Sequence, residues 1–115
     1  MTSELTTTLP IEAARDRLRE LIIDLAVVRG KVTLASGLEA DYYVDLRRVT
    51  LHHEASRLVG QVMLDLLDRN NIVFDAAGGL TMGADPVGHA IMRSAGDVNR
   101  AVDTFVAVSY THLRA

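Results

Sequence analysis

The chain has 115 residues, 49% of them hydrophobic and 23% charged, with a formal net charge of −3. That balance gives one globular domain with a modest core and excludes both a disordered chain and a global basic field for nucleic acid. With no cysteine there is no disulfide framework, thiolate metal site or cysteine nucleophile, a composition that suits the reducing cytoplasm.

Met1 to Thr8 is rich in Ser and Thr and carries Glu4. It lacks the basic start and apolar run of a signal peptide. No apolar stretch approaches the roughly 20 residues of a membrane helix. Ile11, Ala14, Leu18, Leu21, Ile22, Leu25 and Val28 recur at helical spacing, with Arg15, Asp16, Arg17, Arg19 and Glu20 on the other face. This predicts a helix from Leu9 to Arg29, stopped by Gly30. Val32 and Leu34 alternate with Thr33 as in a half-buried strand, and Tyr42 to Leu46 is a second strand candidate. The two form a predicted β-hairpin around a Ser36–Asp41 loop.

Leu51 to Arg69 is helical by spacing, and Asn70-Asn71 ends it, since Asn tolerates the left-handed region. A strand over Ile72 to Ala77 then feeds Gly78-Gly79-Leu80-Thr81-Met82-Gly83-Ala84-Asp85-Pro86. A helix over Val87 to Ser94 follows, with Asp85 as N-cap and Pro86 at its first position. Gly96 to Arg100 reads as a loop and Ala101 to Val108 as a last strand. This alternation predicts an α/β fold with a parallel sheet and right-handed crossovers. Ligands on such sheets sit beyond the carboxyl ends of the strands, where the glycine loop lies.

The loop is neither a Walker A sequence nor a Gly-x-Gly-x-x-Gly fingerprint. Free N–H groups at a strand–glycine–helix junction suit phosphate, although most such junctions need glycine only for a tight turn. Lys31, Tyr43, Arg47 and Arg48 on the hairpin offer cations and an aromatic ring to a planar anion. The alternative has the tyrosines packed on helices and the arginines in water. His52-His53-Glu54 does not read as a metal site, because adjacent histidines point apart; with His89 and His112 distant, the pair flanks the following helix.

Lys31 through Arg48, with Thr33-Leu34-Ala35-Ser36-Gly37 and Asp41-Tyr42-Tyr43-Val44-Asp45, followed by Gly78 to Pro86, resembles the N-terminal half of orotate phosphoribosyltransferase of the actinobacterial type. The resemblance covers Leu9 to Val106. It implies a type I phosphoribosyltransferase-like α/β fold: an N-terminal helix and hairpin hood over 1–50, the start of a parallel sheet with a βαβ crossover over 51–108, and a non-family tail over 109–115. It implies transfer of ribose 5-phosphate from phosphoribosyl diphosphate to orotate, giving orotidine monophosphate and diphosphate, in pyrimidine (UMP) biosynthesis. It further implies Mg²⁺ carried by the diphosphate, a homodimer when full length, and neither nucleic-acid nor membrane partners. The segment matching Tyr43 and Val44 lies beside orotate in the family, with Lys31 the candidate cation there. The loop matching Gly79, Leu80, Thr81, Met82 and Gly83 contacts diphosphate. No catalytic residue and no protein metal ligand is assigned.

Three departures stand out. Many members carry Lys where this chain has Ala35, and Lys31, four residues earlier, is the candidate substitute. Many have Tyr-Lys where this chain has Met82-Gly83. After Val106 the family continues into a basic mobile loop, an acidic signature and a phosphate cradle, whereas this chain reads Ala107 to Ala115 and stops. The expectation is a truncated fragment, inactive and poorly folded alone, with an uncovered two-strand sheet. The rival expectations are a non-catalytic phosphoribosyl- or nucleotide-binding regulatory module and a helix-rich interaction domain with a purely structural glycine loop.

Overall fold

A computed structural model describes residues 9–109. The expectations for residues 1–8, for His112 and for the tail beyond Ser109 lie outside the described residues. The chain runs α1 (Ile11–Leu21), a π-helical turn (Ile22–Ala26), β1 (Val27–Thr33), β2 (Glu39–Val44), α2 (Arg47–Thr50), α3 (Ala55–Arg69), β3 (Ala76–Leu80), α4 (Asp85–Asp97) and β4 (Asp103–Ala107). β1 and β2 pair antiparallel, and β3 and β4 pair parallel across α4, so the predicted hairpin and βαβ unit are both present.

The first helix is shorter than its periodicity predicts. It ends at Leu21, unwinds through the π turn and becomes strand at Val27. Leu25 and Val28 sit at positions that fit a helix face, but Val27 and Val28 pair with Val44 and Tyr43. Branched side chains favour that pairing over another helical turn. Gly30 is therefore not a helix stop. It has φ 117° in a bulge where the register shifts between Arg29 and Val32. Gly30 and Lys31 there oppose the single residue Asp41.

Downstream, β2 starts earlier than expected, at Glu39. The predicted helix from Leu51 begins only at Ala55, after the unpredicted short α2. His52 explains the delay: its Nδ1 accepts from the amides of Glu54 at 3.2 Å and Ala55 at 3.1 Å. The histidine flanks the helix start, as read from sequence, and meets two of the donors that a helix leaves unpaired. Asn71 ends α3 with φ 57°, the left-handed turn expected there.

Two hydrophobic clusters form the core. Ala14, Leu21, Ala26, Val49, Ala55 and Leu58 make one; Leu64, Ile91, Ala95 and Val102 make the other. α3 belongs to both and joins α1 to α4. It meets α4 through Gly60, where an added Cβ would lie 2.2 Å from the Ala90 carbonyl oxygen and 2.6 Å from Ser94 Oγ. Among the described residues the sheet is covered on one face only. α4 packs behind Ala77, Gly79 and Thr104, while Leu80 and Phe105 on the other face are 58% and 50% exposed. The predicted uncovered sheet is thus present in the fold.

Candidate functional site

The strand that delivers the glycine segment lies four residues later than predicted: Ala76–Leu80, not Ile72 to Ala77. Val73 is 96% exposed and Phe74 packs into the second cluster, so this apolar run is a connector. Gly78 and Gly79 are strand residues, not loop residues. Gly78 is required by close approach, since a Cβ there would sit 2.1 Å from the Phe105 carbonyl oxygen. Gly79 has no positive φ; its Cβ would meet that of Ala84 at 2.9 Å. Its glycine reflects close packing rather than backbone hand.

The connection from β3 to α4 spans Thr81 to Ala84 at the carboxyl ends of both strands. Thr81 N–H donates to the Ala107 carbonyl at 2.9 Å and Ala84 N–H to that of Leu80 at 3.0 Å. Asp85 N–H donates to the Met82 carbonyl at 3.3 Å. The Thr81–Met82 peptide bond is cis. Among the described residues, the amides of Met82 and Gly83 make no backbone hydrogen bond. Both residues are exposed, and Gly83 has nothing within 4 Å of an added Cβ.

α4 starts two residues earlier than predicted. Ala84, not Asp85, is the N-cap, and Pro86 occupies the first turn as expected. Asp85 Oδ2 accepts a short hydrogen bond from Thr81 Oγ1, closing the loop, while Asp85 Oδ1 is buried without a partner. The free amides and the amino end of a 13-residue helix attract an anion here, opposed by the Asp85 carboxylate. No side-chain cation lies within Gly79–Gly83.

The hairpin carries the other candidates. Lys31 is exposed on the bulge, which re-aims it relative to a regular strand. Tyr43 is half-buried opposite Val28, and Val44 is exposed opposite Val27. Arg47 and Arg48 converge on Asp45, with Nε to carboxylate distances of 3.1 and 3.6 Å. The hydrogen bond from Arg47 holds the Asp45 carboxyl below its ordinary range. Part of the cationic capacity read into Arg47 is therefore spent locally. Among the described residues the halves are joined by α1, α3 and α4, without extensive packing of the hairpin on β3, β4 or α4. Lys31, Tyr43 and Val44 all belong to the hairpin, but Tyr43 and Val44, as successive strand residues, lie on its opposite faces, while Gly79, Leu80, Thr81, Met82 and Gly83 lie at the end of β3 and in the connection after it.

Sequence reading missed a third feature. A cavity of about 550 Å³ lies between α3 and α4, lined among others by Leu9, His53, Glu54, Arg57, Gln61, Pro86, His89, Arg93 and Asp97. Its signal was present: Arg57 and Gln61, and His89, Arg93 and Asp97, recur every four residues along one helix face. Among the described residues no group of three His, Cys, Asp or Glu side chains is placed to hold a metal ion, and no helix is long and apolar enough to cross a membrane.

A βαβ unit with an exposed loop at its carboxyl edge, preceded by a helix and a hairpin, has the architecture of part of a phosphoribosyltransferase-type α/β domain. No protein-family model matches the chain. The chain is 58% identical over 96 residues to an orotate phosphoribosyltransferase of Streptomyces avermitilis, covering 84% of this chain and 52% of that protein. In structure it is similar to the orotate phosphoribosyltransferase of Mycobacterium tuberculosis solved with Fe(III) dicitrate, with a TM-score of 0.75, 51% identity, and coverage of 84% of this chain and 54% of that one. The same enzyme solved with 5-phospho-α-D-ribosyl 1-diphosphate gives a TM-score of 0.69 at 48% identity, over 83% and 53% of the two chains. Over about four fifths of its length the chain is similar to actinobacterial orotate phosphoribosyltransferases, and it spans about half the length of the curated relatives it matches.

Proposed function

We propose that the chain carries part of the substrate-binding surface of an orotate phosphoribosyltransferase. In that reaction orotate displaces diphosphate from phosphoribosyl diphosphate, giving orotidine monophosphate in pyrimidine biosynthesis. Gly79, Leu80, Thr81, Met82 and Gly83 take the diphosphate; Lys31, Tyr43 and Val44 take orotate. The observation that carries the reading is the pair of open amides at Met82 and Gly83, at the carboxyl edge of the sheet. It sits within a stretch 58% identical to a named relative. Backbone donors fixed before the ligand arrives stabilise charge developing on a leaving group without reorganisation. Residues 1–50 serve as the hood, 51–108 as the start of the core and 109–115 as a segment apart.

The described residues do not fit a resident metal, because no three potential ligands converge. The Mg²⁺ of this reading travels on the diphosphate, as that ion commonly does with substrate phosphates. No step derived from these residues runs through it. The full-length protein acts as a cytoplasmic homodimer in the same reading. Nothing supports a regulatory module over this one.

Amide NMR of the 115-residue protein tests the assignment. Phosphoribosyl diphosphate is expected to shift Gly79–Gly83, and orotate to shift Lys31, Tyr43 and Val44. Saturable shifts elsewhere, or none at millimolar ligand, would overturn it.

A further inference from the structure

Asp85 is the one charged side chain between Asp75 and His89, and its sign is wrong for the loop it follows. A carboxylate there repels the same diphosphate that the open amides of Met82 and Gly83 attract. An acid in a first turn ordinarily serves its own helix, through the dipole or by accepting from the first amides. The second service is missing, since α4 has no side-chain cap hydrogen bond. Among the described residues Asp85 Oδ1 is buried without a partner, and Oδ2 turns back to accept from Thr81 Oγ1. A buried carboxylate oxygen left unpaired is costly, so the side chain is held in this direction for the sake of its other oxygen.

The Thr81–Asp85 pair brackets the open amides. Thr81 begins the connection and Asp85 begins α4, so their side-chain bond closes a ring around Met82, Gly83 and Ala84. Backbone bonds hold the margins of that ring, from Thr81 N–H to the Ala107 carbonyl at 2.9 Å and from Ala84 N–H to the Leu80 carbonyl at 3.0 Å. The middle is held less well. The tie from Asp85 N–H to the Met82 carbonyl is long at 3.3 Å. Met82 is 79% exposed, and an added Cβ at Gly83 would meet nothing within 4 Å, so neither residue anchors the loop by packing. A glycine in such a segment leaves the backbone much freedom to lose. Donors ordered in advance bind a ligand more tightly than donors the ligand must order itself.

We propose that Asp85 is a positioning residue for this loop: by holding the Thr81 hydroxyl it keeps the Met82 and Gly83 amides open and ordered, and it acts on diphosphate through the loop, not by contact. The inference rests on the reading of Gly79–Gly83 as the diphosphate loop. Its consequence runs against simple charge. Removing a negative group beside an anion site weakens binding, because the loop faces solvent, where salt screens the repulsion, while the order is lost in full.

Inorganic diphosphate, titrated into the 115-residue protein and its variants and followed by amide NMR, tests this. Asp85→Ala and Thr81→Val are each expected to weaken binding about fivefold, the worth of one ordinary hydrogen bond. The double variant is expected to bind no more weakly than either single one, since both remove the same link. Asp85→Asn keeps an acceptor for Thr81 and loses the charge, and is expected to bind no more weakly than the parent. In the ligand-free protein the order parameters of the Met82 and Gly83 amides should fall in Asp85→Ala and hold in Asp85→Asn. Thr81 is exposed, so Thr81→Val carries the test if Asp85→Ala fails to fold. With a parent that binds diphosphate, three results would overturn the inference and leave the functional reading standing: Asp85→Ala binding as well as the parent, Asp85→Asn weakening binding as much as Asp85→Ala, or additive losses in the double variant. A parent that binds no diphosphate overturns both.

Discussion

Gly60→Ala is expected to destabilise the protein although alanine is the better helix former. The residue lies inside α3, where the change alone would favour the helix by about 1 kcal/mol. Its new Cβ would lie 2.2 Å from the Ala90 carbonyl oxygen, a backbone atom that cannot rotate away. Ordinary contact begins at 3.4 Å, so the helices must separate by about 1.2 Å at the crossing. That movement loosens Leu64 against Ile91 and Ala95 in the second cluster. Overpacking of this kind costs about 3 kcal/mol at its upper range, leaving a net loss of about 2 kcal/mol. In a domain of this size the melting temperature falls by about 10 °C. Urea unfolding followed by far-UV circular dichroism measures the loss. Gly96→Ala, near the end of α4 with nothing within 4 Å, is the control and is expected to be neutral or stabilising. If both variants gain stability alike, the close crossing is not what fixes the helix pair.

Lys31→Ala is expected to weaken binding of the anionic substrates about tenfold, a charge-assisted hydrogen bond's worth; calorimetry giving an unchanged Kd would return Lys31 to the solvated rim. Gly83→Lys meets open space, so unfolding free energy should change by less than about 0.5 kcal/mol while affinity for diphosphate rises, and no rise would show that the loop binds through backbone alone. The hydrogen bond from Arg17 holds the Glu54 carboxyl below its ordinary range, so the stabilisation from this tether between α1 and the start of α3 is fully present above the usual glutamate range and lost as pH falls below that range through the lowered value. The stability gap between the parent and Arg17→Gln should shrink on acidification, and a gap constant with pH would contradict the pairing. Phe105→Ser is expected to lower dye binding and aggregation by removing half-exposed apolar surface from the sheet face; unchanged dye binding would place the sticky surface elsewhere.

The sequence by itself determined which segments become helix, hairpin and βαβ unit, because periodicity and turn residues act over a few neighbours. The helical stripe from Ile11 to Leu21, the Asn71 turn and Pro86 in the first turn of α4 were all local signals. The two candidate motifs stand out in the sequence for the same reason, each lying within a short run of residues. Tertiary structure decided what depends on partners distant in sequence. Pairing with β4 moved β3 onto the glycines, since only glycine at 78 allows the Phe105 carbonyl so near. Pairing with β2 turned Val27 and Val28 from helix to strand and made Gly30 a bulge that carries Lys31. The groove between α3 and α4 depends on the Gly60 crossing, and its charges lie on helices separated by a strand. No local pattern encodes how close two such helices come; packing of the whole core does.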